Sequence, residues 1–378
     1  LLYPLYANFF KRLGFNVVLA DRPKSMAMHR AEAAFCLPVE IAHGAFLNLL
    51  GKDVDVIFLP QVMQVPVKNV PTYSRLCPFV QGEPYYLKTT FRNEIDRAGV
   101  KMLSPVLKMP DHYEQAEAEM VLVAQELNIS EKMASQAFHY ACEKQRAFEK
   151  EIVRIGKKVL FKLEKTPDKL GFVLFGRPYN AFADEANMGI PHKIASRGYT
   201  VIPFDMLPAE NYMVDQKMFW AMGQKIMKSA QYVKQRKNLF GVYITNFSCG
   251  PDSFLLGYFR NLMKQKPSLT LELDEHTADA GIDTRIEAAI DIMKNFNHLE
   301  VKYNESKFSA AQVVLDGSTI KVKNSDRDVL ELSNPNVEIL LPSMGQFGTQ
   351  AMAAVMRSIG YKARALPIMN EFTLNKAR

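Results

Sequence analysis

Three times in 378 residues the sequence turns the same corner. KRLGFNVVLAD at 11–21, ASRGYTVIPFD at 195–205 and MRSIGYKARALP at 356–367 each read as a helix end, a glycine, an aromatic residue and a short β-branched run. A helix that stops this way needs one residue at positive φ, which glycine adopts without a Cβ penalty. The aromatic then opens a strand. A chain that repeats helix, corner and strand is committed to α/β architecture. Further strands are expected at 54–60, 102–107, 172–175, 240–245, 268–273 and 337–342. Their apolar residues run continuously rather than alternating, the pattern of parallel strands covered on both faces. Helical stretches separate them, as βαβ units require.

Single cores stop growing near roughly 250–300 residues, so a chain of this length divides. Residues 1–110 read as a first α/β unit, and 111–167 as a charged helical connection punctuated by Pro110 and Pro167. Residues 168–298 read as a second α/β unit. Residues 299–336 hold AQVVLDGSTIKVKN, a hairpin insertion built on an Asp-Gly turn. Residues 337–378 begin a third. The fold expected is therefore two Rossmann- or flavodoxin-like parallel-sheet units joined by a helical segment, plus the start of a third βαβ unit. The chain opens in a helix over 3–13 without an initiator Met, and the third unit stops after strand, helix and strand. Both features read as those of a piece of a longer polypeptide.

Hydrophobic residues make up 48% and charged residues 23%, which excludes a disordered chain. No apolar run reaches the roughly 18 residues of a transmembrane helix, and the first residues lack the order of a signal peptide. The net charge of +7 suits an anionic ligand or an acidic partner. No Arg/Lys block resembles a nucleic-acid arm. Four cysteines are too few for a disulfide scaffold and read as reduced thiols or metal ligands of a cytoplasmic protein.

The cysteines carry the most chemistry. Cys36 in FCLPVEIAHG, Cys77 in LCPFVQGEPYY and Cys249 in NFSCGPDSFLLGYF each stand at the entry to an apolar helix, with Pro one or two residues later. A thiol there faces free N–H groups and the positive end of the helix dipole, which favour thiolate. Cys142, in HYACEKQRAFEKE, lies inside a charged helix instead. Three thiolates meeting at the carboxyl edges of sheets could hold an iron–sulfur cluster or zinc, while the competing reading is that Cys is a small buried hydrophobe. There is no CxxC spacing, and His43, His192 and His276 pair with no cysteine at helical spacing. Arg177, in the loop FGRPYNAF, could clamp a phosphate or carboxylate. His192 and Arg285 are further candidate ligand contacts, and the turn in LPSMGQFGTQAMAAV could present a helix N-terminus to an anion. No GxGxxG or Walker A sequence is present, so no ATP site is expected in this chain. Residues 217–237 hold six basic residues and no acid, and read as an amphipathic helix with a basic outer face.

Six motifs in order carry a resemblance: FCLPVEIAHG, CPFVQGEPYY, FGRPYNAFADEANMGIPHKIASRGYTVIPFD, NFSCGPDSFLLGYF, LDEHTADAGIDTRIEAAID and MGQFGTQAMAAVMRSIG. Together they resemble the activase-related segment of the large fused proteins of the 2-hydroxyacyl-CoA dehydratase system. The resemblance runs over nearly the whole chain and is weakest at 111–165 and 300–335. It implies α/β subdomains around a cysteine-bound [4Fe–4S] cluster, with ligands at Cys36, Cys77 and Cys249, one iron left open, and no role for Cys142. A double cubane would need ligands from elsewhere. It also implies an ATP-hydrolysing activase domain or chain as electron donor, and a CoA thioester or another small molecule as substrate. The function expected is the cluster-carrying redox module of an ATP-dependent reductase or dehydratase-like system. A non-catalytic electron relay or scaffold, and a two-lobed small-ligand binding protein, are the alternatives. No residue is assigned a catalytic role.

Overall fold

In the computed structural model, Gly14, Gly198 and Gly360 all hold positive φ, at 93°, 85° and 93°. At the first and third corners the aromatic amide reaches back five residues: Phe15 donates to the Phe10 carbonyl and Tyr361 to the Met356 carbonyl, each at 3.0 Å. These bonds satisfy carbonyls that the helix end would otherwise leave open. The structure describes all residues except 29, 31–35, 71–73, 167–168, 216, 275–276, 278, 299–310, 318, 369 and 371–378; the candidate His276 lies outside the described residues. The chain divides into two compact units, Leu1–Glu300 and Val301–Arg378.

The first unit begins with α1 (Tyr3–Arg12), α2 (Ser25–Met28), α3 (Leu37–Leu50), β1 (Val56–Phe58), β2 (Gln61–Gln64), α4 (Pro78–Thr90), α5 (Arg92–Ala98), β3 (Lys101–Leu103) and β4 (Val106–Lys108). β1 pairs with β3 and β2 with β4, both in parallel. Pro60 and Pro105 lack an N–H and interrupt the two ladders at matching places. Leu59 donates to the Leu103 carbonyl and Gln61 to the Pro105 carbonyl, both at 2.8 Å, which carries the pairing across the break.

The run after the first corner is not a strand. Residues 15–20 join no ladder among the described residues, and Val18 and Leu19 are 41% and 55% exposed. A β-branched run becomes a strand only where a neighbour offers hydrogen bonds. Here Leu19 instead accepts from Lys52 Nζ at 2.8 Å.

A 3-10 turn, Tyr113–Ala116, leads into α6 (Glu117–Gln125) and then α7 (Glu131–Glu164). One end of α7 packs Ala134, Phe138 and Cys142 into a core with Leu5 and Phe9 of α1. Its other end places Leu160 and Leu163 in the core beneath the next sheet.

That sheet follows as β5 (Gly171–Phe175), α8 (Pro178–Ala181), α9 (Asp184–Asn187), α10 (Ile190–Ser196), β6 (Thr200–Pro203), α11 (Ala221–Lys234), β7 (Leu239–Asn246), α12 (Gly250–Met263), β8 (Ser268–Leu273) and α13 (Asp279–His298). Its four strands run parallel in the order β6-β5-β7-β8. β5 and β7 are buried at every position, which is why their sequences are apolar without alternation. The strand order reverses between β5 and β7, and in such sheets ligands bind at the carboxyl edge beside the reversal.

α11 corrects the expected basic outer face. Lys228 is 3% exposed and donates to the carbonyls of Lys68 at 2.6 Å and Glu210 at 2.8 Å. Lys225 is not exposed either; burial lowers its pKa, and Glu149 and Asp205 oppose that. The helix is covered on nearly every side, so the Lys228 ammonium serves internal acceptors. Nearby, Arg75 donates to the Phe219 carbonyl and accepts at its own carbonyl from Ala221, at 3.3 and 2.9 Å.

In the other unit, β9 (Gln312–Asp316) and β10 (Thr319–Lys323) form the expected antiparallel hairpin. β11 (Val329–Glu331) adds a third strand to it, too short to stand out in the sequence. β12 (Ile339–Leu341), α14 (Gln346–Ser358) and β13 (Ala363–Ala365) make a parallel βαβ unit. Among the described residues no helix is long and apolar enough to cross a membrane.

Candidate functional site

Three of the four cysteines cap helices. Cys36 is the N-cap of α3, Cys77 of α4 and Cys249 of α12, each with a proline in the first turn. Proline suits that turn because its missing N–H would have had no helical partner. Cys142 is fully buried within α7.

The side chain that relates the three caps is Arg177. It follows β5 through Gly176, whose φ of 138° and close approach to β7 leave no room for a side chain: a Cβ there would stand 2.5 Å from the Ile244 carbonyl oxygen. The turn delivers Arg177, only 4% exposed, to the carboxyl edge between β5 and β7. Its Nη2 donates to Cys249 Sγ and, at 3.1 Å, to Asp252 Oδ2. Its Nη1 donates to Tyr179 Oη at 2.8 Å. Asp252, 1% exposed, also accepts from Thr245 Oγ1 and from Tyr243 Oη, the latter at 3.2 Å. The Asp252 amide donates to Cys249 Sγ at 3.4 Å. Arg177 is thus held from within, and the carboxylate it meets here is Asp252.

The remaining cysteines share this neighbourhood. The charge of Arg177 acts on Cys36, and the thiols of Cys77 and Cys249 act on Arg177 in turn. Tyr86 feels Cys36, Cys77 and Tyr179 together. Coulomb interactions fade with distance, so these mutual effects mark one cluster of groups. Burial alone would loosen the Arg177 proton, but Tyr179, Asp252, Cys249 and Cys77 more than reverse that and hold it cationic.

Cys36 and Cys249 are not acidified as their helix-cap positions suggest. Burial pushes Cys36 up, against the pull of the Val39 amide and Arg177. Burial pushes Cys249 up to about 12, again against Arg177. The partial charge of a helix N-terminus does not offset desolvation of a buried thiolate. Among the described residues no group of three or more His, Cys, Asp or Glu could hold a metal ion as placed. The donor set is nonetheless of the right chemistry for iron and sulfur: three thiols around a fixed cation. Among the described residues, Arg177 Nε and the side-chain amides of Asn180 and Asn246 are buried without a hydrogen-bond partner.

A cavity of about 10 Å³ is lined by Cys77, Arg177, Tyr179, Trp220 and Pro251, among others. A larger one, about 370 Å³, lies between the β3–β4 connection and α6, lined by Ser104, Lys108, Glu119 and Glu126. His192 on α10 and Arg285 on α13 are both exposed, and neither is among the charges that weigh most on Cys36, Cys249 or Arg177.

The sequence reading missed Asp252, Tyr243 and Thr245. A signal existed for each. Asp252 stands three residues after Cys249, the spacing at which an acid supports a helix cap. Tyr243 and Thr245 sit two apart on β7 and therefore share a face.

Comparison with known families gives one match. The chain belongs to the CoA enzyme activase uncharacterised domain family, whose model matches residues 1–207. The match includes Cys36, Cys77, Cys142 and Arg177 and ends before Cys249. Searches of the curated proteins and of the solved structures returned no match.

Proposed function

We propose that this chain is the thiolate-bearing redox module of an ATP-dependent, CoA-linked enzyme system, with Cys36, Cys77 and Cys249 as ligands of a [4Fe–4S] cluster. The observation that carries the reading is the gathering of three helix-capping cysteines around one buried arginine, while the fourth cysteine lies in another core. Membership of the activase family supports the link to CoA and to an ATP-hydrolysing activase as electron donor. The bound cluster would supply a one-electron carrier with an iron open to a ligand. The protein's part is to supply thiolates, exclude water and fix the charges around them. Thiols held protonated by burial lose that proton to bound metal, so metal uptake releases protons and stabilises the fold.

Iron per chain after anaerobic reconstitution tests this. The wild-type chain and Cys142→Ala should take up equal iron. Cys36→Ala, Cys77→Ala and Cys249→Ala should each lose most of it. A wild-type chain that stays colourless and iron-free, or equal iron in all four variants, would sink the reading.

A further inference from the structure

We infer that the cavity between the β3–β4 connection and α6 binds a small aliphatic ammonium compound, with Glu119 and Ser104 taking its head group. None of the cysteines lines it, and the inference does not rest on the cluster reading. At about 370 Å³ the cavity falls within the roughly 300–1,000 Å³ of small-molecule sites. Glu119, Leu122, Val123 and Glu126 recur at i, i+3, i+4 and i+7, so one face of α6 and its C-cap make a whole wall. Val123 is 3% exposed and Leu122 59%, so the apolar part of that wall runs from the core to the mouth. Pro105 and Val106 face it from the β3–β4 side.

The polar groups of the lining say what the ligand must bring. Glu126 is engaged already: its carboxylate meets Lys101 Nζ at 3.6 Å and its carbonyl accepts from the same nitrogen. Lys108 is exposed on β4, and a solvated ammonium adds little to the capture of an anion. Ser104 Oγ and Glu119 Oε2 differ from both. Each is buried, and among the described residues neither has a hydrogen-bond partner. Buried polar atoms are nearly always partnered, so two orphans in one lining call for a bound group. An ionised carboxylate only accepts, so the group that completes Glu119 must donate, and a charged donor makes the stronger bond. The Ser104 hydroxyl can accept a second N–H of the same head, since an ammonium group carries three. Val106, Leu122 and Val123 then cover a short hydrocarbon tail. A neutral alcohol would donate only once and without charge, and a carboxylate would be repelled by Glu119.

The test is an NMR titration of the chain with isopentylammonium, isopentanol and isovalerate, which share one branched tail and differ in head group. Isopentylammonium should bind saturably, isopentanol about tenfold more weakly, and isovalerate more weakly still. Glu119→Gln should weaken the ammonium about tenfold and bring it level with the alcohol. Ser104→Ala should weaken the ammonium and the alcohol by about threefold each. Glu151→Gln, which removes an exposed acid paired with Arg154 on α7, should leave all three affinities in place. If Glu119→Gln fails to fold, Ser104→Ala and the order of the three probes decide. Equal affinities for the three head groups, no saturable binding, or ammonium binding undiminished in Glu119→Gln overturns the inference. None of these outcomes depends on iron, so the cluster reading stands or falls separately.

Discussion

Cys249 and Cys142 are two thiols that burial pushes to the same place, each up to about 12. Their surroundings have little else in common. Cys142 lies among Ala134, Ala137, Phe138 and Ala141 in an apolar core, and the charges that act on it most are Glu114 and Arg146. Cys249 caps a helix, takes an N–H from Asp252 and another from Arg177, and looks across at two further thiols' neighbourhood. Protonated thiols of equal reluctance therefore have unequal prospects. One has N–H donors aimed at its sulfur, and the other packs in an apolar core with Glu114 and Arg146 acting on it. The difference teaches that burial and acidity alone do not separate the two cysteines; the donors aimed at the Cys249 sulfur do.

The largest effect should come from the carboxylate behind Cys249. Asp252→Ala leaves Arg177 buried without its counter-charge and should cost about 3–5 kcal/mol in urea unfolding. Cys142→Ala removes one buried sulfur and should cost about 1 kcal/mol. Equal losses would erase the contrast between the two regions.

A smaller effect should appear in pH dependence on the thiol side. Glu83 sits on α4, the helix that Cys77 caps, and burial raises its pKa from 4.5 to about 7. The folded chain holds that proton more tightly than the unfolded chain. The contribution of Glu83 is therefore intact below pH 4.5 and is lost as pH rises through about 7. Glu83→Gln should stabilise the chain at pH 8 by on the order of 1–3 kcal/mol and leave it unchanged at pH 4. Parallel stability curves for wild type and variant across that range would show that the region around α4 is wetter than its neighbours suggest.

What was legible in the sequence was local. The corners at Gly14, Gly198 and Gly360 were visible because only one residue type suits them, and the strands β5 and β7 because continuous apolar runs need cover on both faces. The helix-cap positions of Cys36, Cys77 and Cys249 followed from the proline after each. What stayed hidden depends on residues far apart. Arg177 and Asp252 are 75 positions apart, and nothing near either marks the other. Lys228 reads as a solvent group because its acceptors are backbone carbonyls of residues 68 and 210, which have no signature. The run after Gly14 has strand composition, but a ladder partner is not a property of the run itself.

The ties that Lys228 makes to Lys68, and Phe219 and Ala221 to Arg75, also order events in time. The segment leading to Cys77 is fastened by a lysine 160 positions after Lys68. At the ~5–20 residues per second of protein synthesis, the Cys77 thiol leaves the ribosome on the order of ten seconds before its fastening does. Through that interval Cys36 and Cys77 are made but their pocket is not. The arginine arrives within that interval, and Cys249, with its helix, only after the lysine. Maturation of such a chain has to guard two early thiols until the far half of the protein closes over them.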